Sequence, residues 1–182
     1  MTFSRRQYAL SALQIAIAYA QAGTHEEGGN NRGGQVEFFQ SLMGGAPGDP
    51  WCADFVCSCL VKAYARLNGL DESRAGLAKV VRAASGGLIP LCGYCPGLAT
   101  AAGGNGLLKP AEFAAAPGDL VLFDFHGQGE PHHVGFVRSM GNLTIQTVEG
   151  NTSSGQAGSQ ADGDGVFLRT RSRFGIFGFV HW

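Results

Sequence analysis

Apolar positions recur at helical spacing through the first third of the chain and alternate through the last third. Residues 4–22 carry Leu10, Leu13, Ile17 and Ala20 or Gln21 on one side at i, i+3, i+4 spacing, which predicts an amphipathic helix. Residues 35–43 repeat the pattern with Val36, Phe39, Gln40 and Met43. Residues 44–50, GGAPGDP, satisfy every turn rule. From Trp51 to about Leu67 the positions Ala53, Val56, Leu60, Ala63 and Leu67 predict a third helix, and Asn68-Gly69 supplies its stop. Residues 71–113 are rich in alanine and glycine and show no clear period. Five short aromatic and β-branched segments follow, at residues 119–125, 133–139, 142–150, 165–171 and 175–182. Met140-Gly141 between the second and third reads as a hairpin connection. Helices first and strands afterwards predict a segregated α+β fold, and no linker divides residues 1–182 into two domains.

Composition narrows the function classes. A formal net charge of −1 over 182 residues provides no positive field to recruit nucleic acid or an anionic membrane. The 29 glycines and 7 prolines make about a fifth of the chain, below the level that signals disorder. Ser4-Arg5-Arg6 before an apolar stretch imitates a twin-arginine export signal. The helical period favours a folded amphipathic helix, with export as the alternative, and the stretch is too short and broken to span a bilayer.

Five cysteines is an odd number, so internal pairing cannot be complete. Cys52 follows Pro50-Trp51 at the predicted start of a helix, where the macrodipole and the unpaired first-turn amides favour thiolate over thiol. The same amides suit an oxyanion forming beside the sulfur. His132 and His133 open a strand whose alternation puts His133, Gly135 and Val137 on one face. Gly135 beside His133 leaves room for a helix end to approach the sheet. Glu149 and Asn151 close the next strand, and a hairpin would bring either one beside His133 to accept a hydrogen bond from a ring nitrogen. Each feature also has a plain structural explanation: a packed thiol, a strand histidine, a polar strand end.

Together these stretches resemble a CHAP domain, the cysteine, histidine-dependent amidohydrolase/peptidase family with a papain-like fold. EEGGNNRGG, PWCADFV, APGDLVLF, HHVGFV and TIQTVEGNTS occur in the family's order, from about Leu10 to the C-terminus. The resemblance implies N-terminal helices, with the nucleophile helix packed on a C-terminal antiparallel sheet of about five strands. It implies Cys52 as nucleophile, His133 as base, Glu149 as the group that orients the histidine, and Asn151 as a fourth polar member. His132 is then a neighbour of the catalytic ring. The implied reaction is acyl transfer through a thioester, with one oxyanion donor in the Cys52 backbone amide. Asn30, Asn31 and Gln35 are candidates for the other by residue type alone. Trp51 either lines the cleft or caps the core.

The implied substrate is peptidoglycan, cut at an amide of its wall peptide by an amidase or an endopeptidase, as a phage lysin, an antibacterial effector or a wall-remodelling hydrolase acting at the cell wall. An effector would bring an immunity or delivery partner. Two rivals stand beside this: a catalytically silent module that binds wall peptides, and a papain-like protease or transferase acting on other amides. No cofactor is expected. Some family members hold calcium through aspartates before the cysteine; here Asp49 and Asp54 are too few for such a site, and no metal is expected. Asp162-Gly163-Asp164-Gly165 reads as a solvated turn. Cys57, Cys59, Cys92 and Cys95 would suffice for zinc, but a one-residue spacing on a helix points Cys57 and Cys59 apart, so packed thiols or a disulfide are preferred.

Overall fold

The structure, a computed structural model, describes residues 3–84, 91–155 and 162–182. Part of the aperiodic stretch at residues 71–113 therefore lies outside the described residues. The described chain is α+β, with five helices followed by a six-stranded antiparallel sheet.

Helix α1 (Arg5–Gln21) begins at a capping box: Gln7 N donates to Ser4 Oγ at 3.1 Å, and Ser4 N donates to Gln7 Oε1 at 2.7 Å. Its buried side is Tyr8, Ala9, Ala12, Leu13, Ile15 and Ala16, whereas Leu10 is exposed. The apolar stripe is thus rotated from the one the leucine spacing predicts. Ala9, Ala12 and Ala16 share the buried side with Tyr8, Leu13 and Ile15, and α1 packs on α3. Helix α2 (Gly34–Met43) buries Val36, Phe39 and Gln40 as its period predicts. The buried Gln40 amide nitrogen is satisfied inside the protein, donating to the Asn31 and Asp49 carbonyls at 3.0 and 2.7 Å.

Helix α3 (Cys52–Leu67) is the centre of the molecule: every residue from Cys52 to Val61 is buried. A helix apolar nearly all round needs neighbours on all sides. Helices α1, α2 and α4 (Arg74–Ala84) cover part of it, and the sheet covers the rest. Helix α5 (Cys95–Gly104) follows, starting at a Cys-Pro pair that suits a helix N-terminus.

The sheet comprises β1 (Leu108–Pro110), β2 (Leu120–Phe123), β3 (His133–Met140), β4 (Thr144–Thr152), β5 (Gly165–Ser172) and β6 (Ile176–Val180). Their spatial order is β1-β6-β2-β3-β4-β5, every neighbour antiparallel. All five predicted strands are present, and β3 and β4 form the expected hairpin around residues 140–141. The sixth strand, β1, was not predicted. It is three residues long, ends in Pro110 and sits at the sheet edge, where proline is tolerated and periodicity has no room to show. Leu120, Leu122, Val134, Phe136, Val148 and Val180 join the helices in one core. Val121, Phe123, Val137, Ile145 and Phe179 form a second cluster, as strand alternation requires of the other face. Among the described residues, no helix is long and apolar enough to cross a membrane.

Candidate active site

Cys52 is the first residue of α3, and two devices fix that helix end against the sheet. Trp51, the preceding residue, is fully buried and stacks on Phe39 with ring centroids 6.0 Å apart. Its indole nitrogen donates to Glu26 Oε1 at 2.9 Å. Trp51 therefore caps the core and does not line a cleft. The second device is the end of β4, where Asn151 takes a left-handed φ of 56° and is fully buried. With its amide oriented to satisfy its neighbours, Asn151 accepts from Trp51 N at 3.2 Å and donates to Gly163 O and to Asn31 Oδ1. One residue earlier, a Cβ on Gly150 would lie 2.7 Å from Phe55 Cγ, so this glycine is what lets α3 approach β4 so closely.

His133 opens β3 opposite Phe123 and is fully buried. Its Nε2 lies 2.9 Å from Glu149 Oε2, across the β3–β4 hairpin. This bond consumes one ring nitrogen. Nδ1 makes no hydrogen bond among the described residues, and the Cys52 thiol is the nearby group that, with Glu149, acts on the ring. Glu149 is held in turn by Thr147 Oγ1 and by Arg171, whose Nε donates to Oε1 at 3.0 Å and whose Nη2 donates to Oε2. Room for the glutamate comes from Gly135, where a Cβ would fall 2.5 Å from Glu149 Cγ. From the sequence, that space is expected to admit a helix end. The structure gives it to Glu149, and the glycine that admits the helix is Gly150.

The electrostatics follow from these contacts. A hydrogen bond from Cys95 is the strongest influence on the Cys52 thiol; burial opposes ionisation, but His133 and the Ala53 amide add to the hydrogen bond, and the thiol is held well below its ordinary range. Burial pulls His133 toward neutrality, yet hydrogen bonding and charge from Cys52 and Glu149 outweigh it and raise the imidazole to about 9. Burial likewise disfavours the Glu149 carboxylate, and His133 and Arg171 overcome it, holding the group at about 2. These contacts favour a thiolate at Cys52, an imidazolium at His133 and a carboxylate at Glu149, the last paired with the Arg171 guanidinium. Asp54, two residues into α3, goes the other way: burial, then the Cys52 and Asp49 charges, push it up to about 8. At neutral pH it is a neutral acid and places no negative charge beside the thiolate.

Cys52 reaches solvent through a cleft of about 470 Å³ walled by Tyr94, Cys95, Pro96, Glu130, Pro131 and His132 among others. His132 therefore stands at the cleft wall, accepting from Phe125 N at 3.1 Å and stacking on His126, while its neighbour His133 faces inward. No family model, curated protein or solved structure matches this chain.

Three of the four expected site residues, Cys52, His133 and Glu149, come together. Asn151 does not pair with His133 among the described contacts; its left-handed backbone turns the amide to the start of α3, where it accepts from Trp51 N. None of Asn30, Asn31 and Gln35 lines the cleft. Asn31 is tied to Asp162 and Asn151. The turn at residues 162–165 is packed at its backbone rather than merely solvated, since Gly163 N donates to Asn151 O and Asp164 O accepts from Glu26 N. Among the described residues, no group of three or more histidine, cysteine or carboxylate side chains is arranged to hold a metal ion. Arg171 and Thr147 were missed. One signal was available: on β5 Arg169 and Arg171 share the buried face while Leu168 points outward, the reverse of an ordinary half-buried strand.

Gly135→Ala tests the positioning of Glu149 directly. The added methyl should displace the carboxylate, drop the His133 imidazole from about 9 toward its ordinary value in an NMR titration, and cost about 1–3 kcal/mol in denaturant unfolding. An unshifted His133 would show that Glu149 does not set its proton affinity.

Proposed function

We propose that this chain is a cysteine-dependent amide hydrolase with a papain-like catalytic centre, similar to CHAP domains, and that it cuts the stem peptide of peptidoglycan. The observation that carries the reading is the juxtaposition of a low-pKa thiol at the tip of α3 with an imidazole whose far nitrogen is engaged by a buried carboxylate. Structural cysteines in an apolar core are pushed the opposite way, as Cys57 and Cys59 are.

In the reaction, the Cys52 thiolate attacks the amide carbonyl carbon and forms a tetrahedral oxyanion. The backbone amide of Cys52, in the unpaired first turn of α3, donates to that oxygen. The His133 imidazolium gives its Nδ1 proton to the departing amine, so the C–N bond breaks and a thioester remains. Neutral His133 then takes a proton from water. The hydroxide adds to the thioester, and collapse releases the acid and restores the thiolate–imidazolium pair. Glu149 keeps Nε2 protonated throughout and so directs Nδ1 at the sulfur. The cleft suits a peptide bearing a free amine: Asp49 and Glu130 line it, and no lysine or arginine does among the described residues.

Digestion of purified sacculi by the wild type and by Cys52→Ala, with mass spectrometry of the released muropeptides, tests the proposal. New amino groups at a defined stem-peptide bond are expected with the wild type only. Equal release by both proteins would eliminate the thiol mechanism. Binding without release would favour a silent wall-peptide module, and turnover of casein or small amides with intact wall left uncut would favour a protease of another substrate class.

A further inference from the structure

Cys52 is not the only sulfur at the catalytic cleft. Cys95, the first residue of α5, lies across from it with Sγ–Sγ 3.6 Å, and both side chains line the cleft although each is at most 5% exposed. Both are free thiols. A disulfide needs its sulfurs about 2 Å apart. The remaining approach is on the scale of a small side-chain rotation, and no third residue stands between the two atoms that already touch.

We propose that Cys52 and Cys95 form a dithiol that a peroxide closes into a disulfide and a small dithiol reopens, a reversible modification that switches the nucleophile off and shields it from irreversible oxidation. The inference deepens the hydrolase reading, since it takes the same sulfur as its nucleophile. Serine at position 95 would meet the hydrogen-bonding role, whereas the second thiol also brings redox chemistry within reach of Cys52. The asymmetry of the pair suits the two steps. Cys52 is the more acidic and is the attacking thiolate, while its charge and hydrogen bond, with burial, keep Cys95 protonated as the resolving thiol.

In the first step the Cys52 thiolate attacks one oxygen of hydrogen peroxide; the O–O bond breaks, the leaving hydroxide takes the His133 imidazolium proton to become water, and Cys52 becomes a sulfenic acid. In the second step the Cys95 sulfur attacks the Cys52 sulfur. The S–O bond breaks, the S–S bond forms, and the hydroxyl leaves with the Cys95 proton as a second water. Two thiols lose two electrons and one peroxide is reduced to two waters. A dithiol such as dithiothreitol reverses the outcome by exchange, its own disulfide being the product. The other thiols are worse partners: the Cys57 sulfur is engaged by the Cys92 backbone amide at 3.4 Å, and burial raises the Cys57 and Cys59 thiols.

The test is peptide mapping after stepwise addition of hydrogen peroxide to the intact protein, with free thiols then blocked by iodoacetamide. The expected result is one cross-linked species joining the Cys52 and Cys95 peptides, lighter by two hydrogens. Dithiothreitol should return both thiols, and Cys92→Ser should leave the cross-link in place. Cys95→Ser should lose the cross-link and carry Cys52 on to sulfinic acid. Recovery of Cys52 from the wild type as sulfinic acid, or joined to Cys57 or Cys92, with Cys95 alkylated, would overturn the proposal. The readout is mass alone, so a failure of the peptidoglycan reading leaves this result unchanged and is told apart from it.

Discussion

His133→Ala is expected to lower kcat on sacculi by about 1,000-fold or more, because it removes both the general acid and the general base of the proposed cycle. His132→Ala is expected to raise KM while leaving kcat nearly intact. The difference rests on one peptide unit. His133 faces Glu149 at 2.9 Å and is fully buried, whereas His132 stands at the cleft wall, stacked on His126 and bonded to the Phe125 amide. Strand alternation turns consecutive side chains to opposite sides, so only one of the two rings can meet the tip of α3. Kinetics on both variants would settle which; a collapse of kcat in His132→Ala with turnover retained in His133→Ala would assign catalysis to the wrong ring.

Arg171→Met should be the most destabilising single change around the site, by about 3–5 kcal/mol, because it strips a buried carboxylate of its guanidinium. Glu149 would be left with His133 and Thr147 as partners in a fully buried position. The pH dependence follows from the same contacts. The folded-state value of Glu149 is held at about 2, below its ordinary value of 4.5, so its contribution to stability is fully present above about 4.5 and is lost as pH falls toward 2. That contribution is about 3 kcal/mol. Denaturant unfolding from pH 7 to pH 3 should therefore show a steep loss in the wild type and a shallower one in Arg171→Met. Parallel curves would mean that Arg171 does not stabilise the ionised form.

What could be read from the sequence depended on how local the physics was. The tip of α3 was legible because turn residues, an apolar period and a stop signal all lie within one short segment around Cys52. The five longer strands and the β3–β4 hairpin were legible for the same reason. Leu10 is exposed because the packing that rotates α1 is tertiary: the buried side of α1 carries Ala9, Ala12 and Ala16 beside Tyr8, Leu13 and Ile15, and no propensity reports that. Gly135 was recognised as a point of close approach, but its neighbour depends on which hairpin residue crosses toward His133, a matter of register. Asn151 was placed at the site by resemblance; its left-handed backbone turns the amide toward Trp51 and away from the imidazole. Arg171 reaches Glu149 from 22 residues away along the chain, and Cys95 reaches Cys52 from 43. Neither pairing leaves a local pattern.

The central claim is that Cys52 and His133 share a proton as an ion pair, and the most direct measurement is the rate of Cys52 alkylation by iodoacetamide against pH, followed on the Cys52 peptide by mass spectrometry. The account predicts a first transition well below the ordinary thiol range and a second near pH 9, where the imidazolium gives up its proton. The pair therefore exists between the two transitions: it forms as the Cys52 thiol ionises and is lost as pH rises through about 9, where His133, whose folded value lies above its ordinary one, gives up its proton. In His133→Ala the second transition should vanish and the first move upward. A single wild-type transition in the ordinary thiol range, unmoved by His133→Ala, would contradict the account.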